Sequence, residues 1–138
     1  MLNILGKIIF LKGNPLFSDI DINDLIHIAR ITAETDLPAN RLFIRENDPG
    51  DDLYIVIDGE VEVLVGKRVI ETLGNGSCIG ELSIIDREPR SASVKTRKKT
   101  RLLSINRKDF LLTLKQNPTI AINVMKVITQ RLRKSIAK

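Results

Sequence analysis

The chain reads as a mainly β domain flanked by α-helices. Three observations predict it. Between residues 34 and 106, short apolar or alternating segments are separated by glycine, asparagine and aspartate, as in a sandwich or barrel. Helical spacing precedes that region (1–33) and follows it twice (107–138). No apolar run approaches the ~20 residues of a membrane-spanning helix, and a length of 138 residues fits a single domain.

The elements follow in order. Leu2, Leu5, Ile8 and Ile9 recur at helical spacing, with Phe10 and Leu11 adjoining. Lys7 and Lys12 interrupt the run and no small-residue cleavage site follows. That argues against a signal peptide and predicts an amphipathic helix packed on the domain or a partner. Asp21 stands as the N-cap of a second helix, whose apolar face is Leu25, Ile28 and Ala29, with His27 on its flank. Pro38 and Asn40 mark a break that introduces a strand near Leu42–Ile44.

Leu53 to Ile57 is a continuous apolar strand closed by Asp58-Gly59. Residues 60–65 alternate, so Val61, Val63 and Val65 are expected to face inward. Gly66-Lys67 is a tight turn into a strand over 68–73, and Gly74-Asn75-Gly76-Ser77 is a loop. Residues 92–96 and 102–106 complete the strands. Asn106 caps a helix with Asp109 in its first turn and Phe110, Leu111 and Leu114 on its apolar side. Asn117-Pro118 starts the last helix, where Ile122, Met125, Ile128, Leu132 and Ile136 form a stripe.

Composition narrows the function. Cys78 is the lone cysteine, so no internal disulfide forms and a reducing, cytoplasmic compartment is expected. His27 is the lone histidine, which argues against a zinc or iron site and against a cupin-like metalloenzyme. The net charge of +5 is concentrated at Lys95, Arg97, Lys98, Lys99 and Arg101 and again along the last helix. Neither cluster is interleaved with aromatics that could stack on bases, so these read as solvated faces and nucleic acid is not an expected partner.

The most informative stretch runs from Cys78 to Val94. Gly80 lets a backbone approach a ligand closely. Glu81 follows, Arg90 stands nine positions further on behind Pro89, and Ser91 adds a hydroxyl. A carboxylate accepts hydrogen bonds from a sugar hydroxyl, and a guanidinium grips a phosphate with a charge-assisted fork. The plainer alternative makes Gly80 a strained turn and Glu81–Arg90 a rim ion pair; the five residue types together in a β context favour an anion pocket.

This order of helix, glycine-punctuated strands, Gly80-Glu81-Leu82 with Pro89-Arg90-Ser91-Ala92, and two closing helices resembles the cyclic nucleotide-binding domain family, of the catabolite activator and protein kinase A regulatory subunit type. The resemblance starts near Leu16, and Gly50, Gly59 and Gly74 fall where that family's β roll turns. It implies an eight-stranded double-stranded β-helix, a jelly-roll-like β roll, with N-terminal helices and two C-terminal ones, in a single domain over 1–138. It implies that Glu81 takes the ribose 2′-hydroxyl, that Arg90 with Gly80 and Ser91 takes the phosphate, and that Val61, Val63, Ile70 and Leu82 wall the base and sugar. Ser135 is the polar candidate to cap the base from the last helix, and Leu132 or Ile136 are the apolar ones.

The function so implied is a sensor, not an enzyme, that needs no cofactor and binds a 3′,5′-cyclic nucleotide. Ser91, where a threonine often accompanies cyclic GMP preference, tilts the expectation slightly towards cyclic AMP. Movement of the last helices would regulate an attached or partner effector within a larger assembly. A homodimer through the C-terminal helix is a further expectation, and insertion of this chain into a membrane is not. The competing reading is a degenerate β-roll interaction or dimerisation module that binds no nucleotide; the intact cassette speaks against it.

Overall fold

The computed structural model describes residues 2–80 and 89–137. These residues divide into two compact units, Thr32–Phe110 and Leu2–Ile31 with the chain from Leu111 onward. The first unit holds β1 (Ala33–Leu37), β2 (Leu42–Ile44), β3 (Asp52–Asp58), β4 (Val61–Val65), β5 (Arg68–Leu73), β6 (Cys78–Ile79), β7 (Ser93–Thr96) and β8 (Thr100–Asn106). They form two four-stranded sheets, ordered β1-β8-β3-β6 and β2-β7-β4-β5. Every pairing is antiparallel. Most neighbours are not consecutive in sequence, so the chain winds between the sheets as a β roll, the fold class expected.

Both sheets feed one core. Val56, Ile79 and Leu102 from the first sheet meet Ile44, Val61 and Val94 from the second, with Leu37, Phe43, Tyr54, Val63 and Leu73 packed around them. Full burial of each such aliphatic contributes roughly 1.5–3 kcal/mol. The core is aliphatic because the chain has no tryptophan and few other aromatics.

One strand expectation is corrected, and one strand was not anticipated. Val65 is 45% exposed and does not face inward. The β4–β5 ladder pairs Val63 with Glu71 but Leu64 with Val69, which leaves Ile70 as an extra residue. Such a bulge throws the following residues out of step with simple alternation. β1 carried no strand signal, since Ala-Glu-Thr-Asp-Leu does not alternate. Pairing with β8 makes it a strand, with Ala33 opposite Ser104 and Leu37 opposite Thr100. Arg101 Nε lies 2.8 Å from Asp36 Oδ1 across that ladder. Arg97 pairs with Glu60 in the same way, so the basic segment around β7 and β8 is partly countered at the surface.

The turn after β3 depends on glycine. Gly59 has φ +144°, and a Cβ there would collide with the Thr100 side chain. Its N–H donates to Asn75 Oδ1 at 2.8 Å.

The second unit is helical: α1 (Ile4–Lys12), α2 (Ile22–Ile31), the later part of α3 (Arg107–Gln116) and α4 (Pro118–Ala137). Asn3 caps α1 through Gly6 N–H at 2.8 Å, and Asn106 caps α3 through Asp109 N–H at 2.8 Å. Ile8 and Leu11 of α1 are buried, as are Leu25, Ile28 and Ala29 of α2. Leu5 and Ile9 are exposed, so α1 is apolar on more than its packed face. In α4 the buried residues are Ile120, Asn123 and Val124. Asn123 Nδ2 donates to Leu16 O at 3.0 Å and Asp19 Oδ1 at 2.7 Å, and Asn117 Nδ2 donates to Asp24 Oδ2 at 2.9 Å. The stripe from Ile122 to Ile136 therefore faces away from the packed side. Among the described residues, no helix is long and apolar enough to cross a membrane.

Gly59, in the β3–β4 turn, and Gly74, just after β5, should respond differently to a methyl group. Gly59→Ala combines a strained φ with a backbone-level clash and should lower unfolding free energy by about 2 kcal/mol or more. Gly74 has nothing within 4 Å of a built Cβ, so Gly74→Ala should stay within about 0.5 kcal/mol of the parent. Urea unfolding of the two variants checks this; equal losses would contradict it.

Candidate functional site

Arg90 is the centre of the site. It is buried, with 6% of its surface exposed. Its main chain is fixed on both sides: its N–H donates to Asp48 O at 2.8 Å, and its carbonyl accepts from Asn47 N–H at 2.8 Å. Its guanidinium is fixed by two more backbone groups. Nη1 donates to Gly80 O at 3.1 Å and Nη2 to Asp52 O at 2.6 Å.

Strand pairing brings these two carbonyls together. β3 pairs with β6 so that Tyr54 faces Ile79 and Ile55 faces Cys78. Asp52, at the start of β3, and Gly80, just past the end of β6, therefore lie at the same end of the ladder. Gly80 has φ +90°, and a Cβ there would overlap Arg90 Nη1 and lie 3.1 Å from Asp52 O. Glycine is required on both counts, by conformation and by space.

The electrostatics follow from neutral partners. Carbonyls satisfy N–H donors but do not cancel the charge. Burial lowers the Arg90 pKa from the usual arginine value, while Tyr54, Asp52 and Asp51 act the other way. The group stays cationic at neutral pH, as arginine does in proteins. A cavity of about 240 Å³ adjoins it, lined by Arg45, Asp48, Asp51, Asp52, Tyr54 and Arg90 among others. Three carboxylates and two guanidiniums line this cavity.

Tyr54 completes the surroundings. Its ring meets Phe43 edge-on, with centroids 5.3 Å apart, and its hydroxyl donates to Asp52 Oδ2 over a long 3.4 Å. Burial first, and then the Asp52 charge, push its pKa above the ordinary tyrosine value.

The remaining sequence-derived residues fall as follows. Val61 is fully buried and Val63 is packed against the core. Ile70 is the bulged residue of β5 and 54% exposed. Ser91 is exposed beside Arg90, and Ser135 is exposed on α4 in the second unit. Glu81 and Leu82 lie outside the described residues. Asp52 and Tyr54 were not singled out from the sequence. Asp52 acts through its main chain, which leaves no residue-type signal, and Tyr54 sits inside an apolar run that reads as ordinary strand core.

A buried arginine thus lies beside a positive-φ glycine that directly follows β6 of the roll. The model of the family described as the cyclic nucleotide-binding domain matches residues 34–117, from β1 through α3. The chain belongs to the cyclic nucleotide-binding domain family. It is 30% identical over 130 residues to the cyclic AMP receptor protein of Thermus thermophilus, covering 91% of this chain and 60% of that protein. It is 32% identical over 117 residues to a cyclic nucleotide-gated potassium channel of Rhizobium etli, covering 85% of this chain and 33% of the channel. The regulatory domain of Toxoplasma gondii PKA, crystallised with cAMP, superposes with a TM-score of 0.72 at 31% identity, over 78% of this chain and 42% of that one. The chain thus spans only part of the relatives it matches. What the family shares here is a regulatory binding domain, found in a receptor protein, a channel and a kinase subunit.

Tyr54 is the only tyrosine, so absorbance of the phenolate reads it alone. Below the ordinary value near 10 the phenol is neutral in folded and unfolded chains, and its titration does not affect stability. Above that value the unfolded chain ionises first. Stability then falls by up to about 1.4 kcal/mol per pH unit until the raised folded value is passed. The native midpoint should lie above the midpoint in denaturant, and Tyr54→Phe should remove this share of the alkaline loss. Coincident midpoints would contradict the burial assigned to the hydroxyl.

Proposed function

We propose that this domain is a ligand-sensing regulatory module that binds a 3′,5′-cyclic nucleotide, with cyclic AMP somewhat favoured over cyclic GMP. The observation that carries the reading is the buried Arg90, held by four backbone hydrogen bonds beside Gly80 within the matched family region. A guanidinium has five N–H donors, and the carbonyls of Gly80 and Asp52 take one from each terminal nitrogen. The remaining fork grips the singly charged cyclic phosphate. Because the side chain is already ordered, binding loses little rotamer entropy.

Glu81 accepts the ribose 2′-hydroxyl, Ser91 assists at the phosphate, and Leu82, Val61, Val63 and Ile70 line the sugar and base. Ser135 on α4 is the candidate cap. Regulation is a population shift: the ligand favours the arrangement of α3 and α4 that encloses it, and an attached or partner effector reads the change. The names of the relatives, a receptor protein, a gated channel and a kinase regulatory domain, support a role upstream of some effector.

Calorimetric titration with cyclic AMP and cyclic GMP tests the reading. The parent should bind both, cyclic AMP a few-fold more tightly. Charge-assisted hydrogen bonds are worth about 1.5–3 kcal/mol, so Arg90→Ala should weaken binding by roughly ten- to a hundred-fold or more. Glu81→Ala should weaken cyclic nucleotides more than it weakens their 2′-deoxy analogues. Thermal melts of each variant separate lost binding from lost folding. No heat from the parent at high nucleotide concentration would overturn the proposal in favour of a module that binds no nucleotide.

A further inference from the structure

The face of α4 away from the buried Ile120, Asn123 and Val124 carries a regular apolar pattern. Ile122, Met125, Leu132 and Ile136 are 48%, 58%, 59% and 76% exposed. With Thr129 between them, they follow one another at steps of 3, 4, 3 and 4 residues, the spacing of coiled-coil positions a and d. Thr129 suits an apolar seam because its hydroxyl is satisfied within the helix, donating to Met125 O at 2.7 Å. Ile122, Met125, Lys126, Thr129 and Gln130 line an open groove of about 330 Å³.

Charge selects the occupant. Taking Ile122 as an a position, Lys126 and Arg133 are at e, while the g positions are Ala121, Ile128 and Ser135. Between Pro118 and Ala137 there are four cations and no carboxylate. A second copy of the chain therefore offers no counter-charge. Paired in parallel, Lys126 and Arg133 would face Ala121 and Ile128 of the other copy, since e residues meet the g residues of the facing helix. Paired antiparallel, Lys126 would face Arg133. A lipid surface would satisfy the cations but does not require the alternating 3-4 steps.

We infer that this face of α4 docks an amphipathic helix of another polypeptide segment, with apolar a and d residues and glutamate or aspartate at its flanking positions. This inference stands whether or not the domain binds a nucleotide.

The test uses the full chain and two synthetic three-heptad helices with leucine and isoleucine at a and d, one with glutamate at e and g and one with lysine. Fluorescence anisotropy should give at least tenfold tighter binding of the acidic helix, weakening as salt is raised. The exposed double variant Lys126→Glu/Arg133→Glu should invert that preference, and Met125→Lys/Leu132→Lys should abolish binding of both helices. Equal binding of the two helices, or none to the acidic one, would overturn the inference. A stable dimer in sedimentation that Met125→Lys/Leu132→Lys dissociates would assign the face to a second copy instead. Capture by phosphatidylserine vesicles in preference to both helices would assign it to a membrane surface.

Discussion

A buried guanidinium held by peptide carbonyls is the constraint on which the rest of this structure depends. Removing an arginine from water is costly unless its donors are satisfied. Here the satisfying groups are neutral, so Arg90 keeps its charge while losing its freedom. The arrangement demands a residue without a side chain at position 80, a β3–β6 ladder in one register, and a main-chain clamp from Asn47 and Asp48. A slip of one residue in that register would carry the Asp52 and Gly80 carbonyls apart. The two-sheet core of Val56, Ile79 and Leu102 against Ile44, Val61 and Val94 holds the register, because the same slip would turn those side chains out of the core.

Charge is divided accordingly. Asp51 and Asp52 stabilise the cation from one side, while its side-chain hydrogen bonds go to the neutral carbonyls of Gly80 and Asp52. The roll carries an acidic cluster at Asp48, Asp51 and Asp52, while the helical unit is basic along α4. The proposed input is the anion site at Arg90, and the proposed output is the apolar, cationic face of α4. The first rests on the strands of the roll, the second on α4, whose inner side is pinned by Asn123 and Asn117.

Much of this was legible in the sequence because local chemistry and tertiary role agree. The strands at Leu53–Ile57 and Leu102–Asn106, the Gly66-Lys67 turn, the Asn106 cap and the proline start of α4 each carry their own signal. What escaped reading was decided elsewhere in the chain. β1 is a strand because β8 pairs with it. Val65 turns outward because of a bulge at Ile70 on the neighbouring strand. The α4 stripe is unpacked because Ile120, Val124 and the polar Asn123 take the inner face, and a buried asparagine is not marked by hydrophobic periodicity. At the site, Gly80 and Arg90 were readable from residue type and spacing. Asp52 contributes a carbonyl that any residue would have, so only the fold reveals it.

The central claim is that Arg90 is ordered before ligand arrives. Nitrogen-15 NMR of the arginine side chains addresses it directly, since rotation about the guanidinium bonds averages the Nη signals of free arginines. The account predicts that, without nucleotide, one set of Nη protons is resolved and slow to exchange, disappears in Arg90→Lys, and shifts when cyclic AMP is added. Averaged, solvent-like signals from every arginine in the free protein would contradict it.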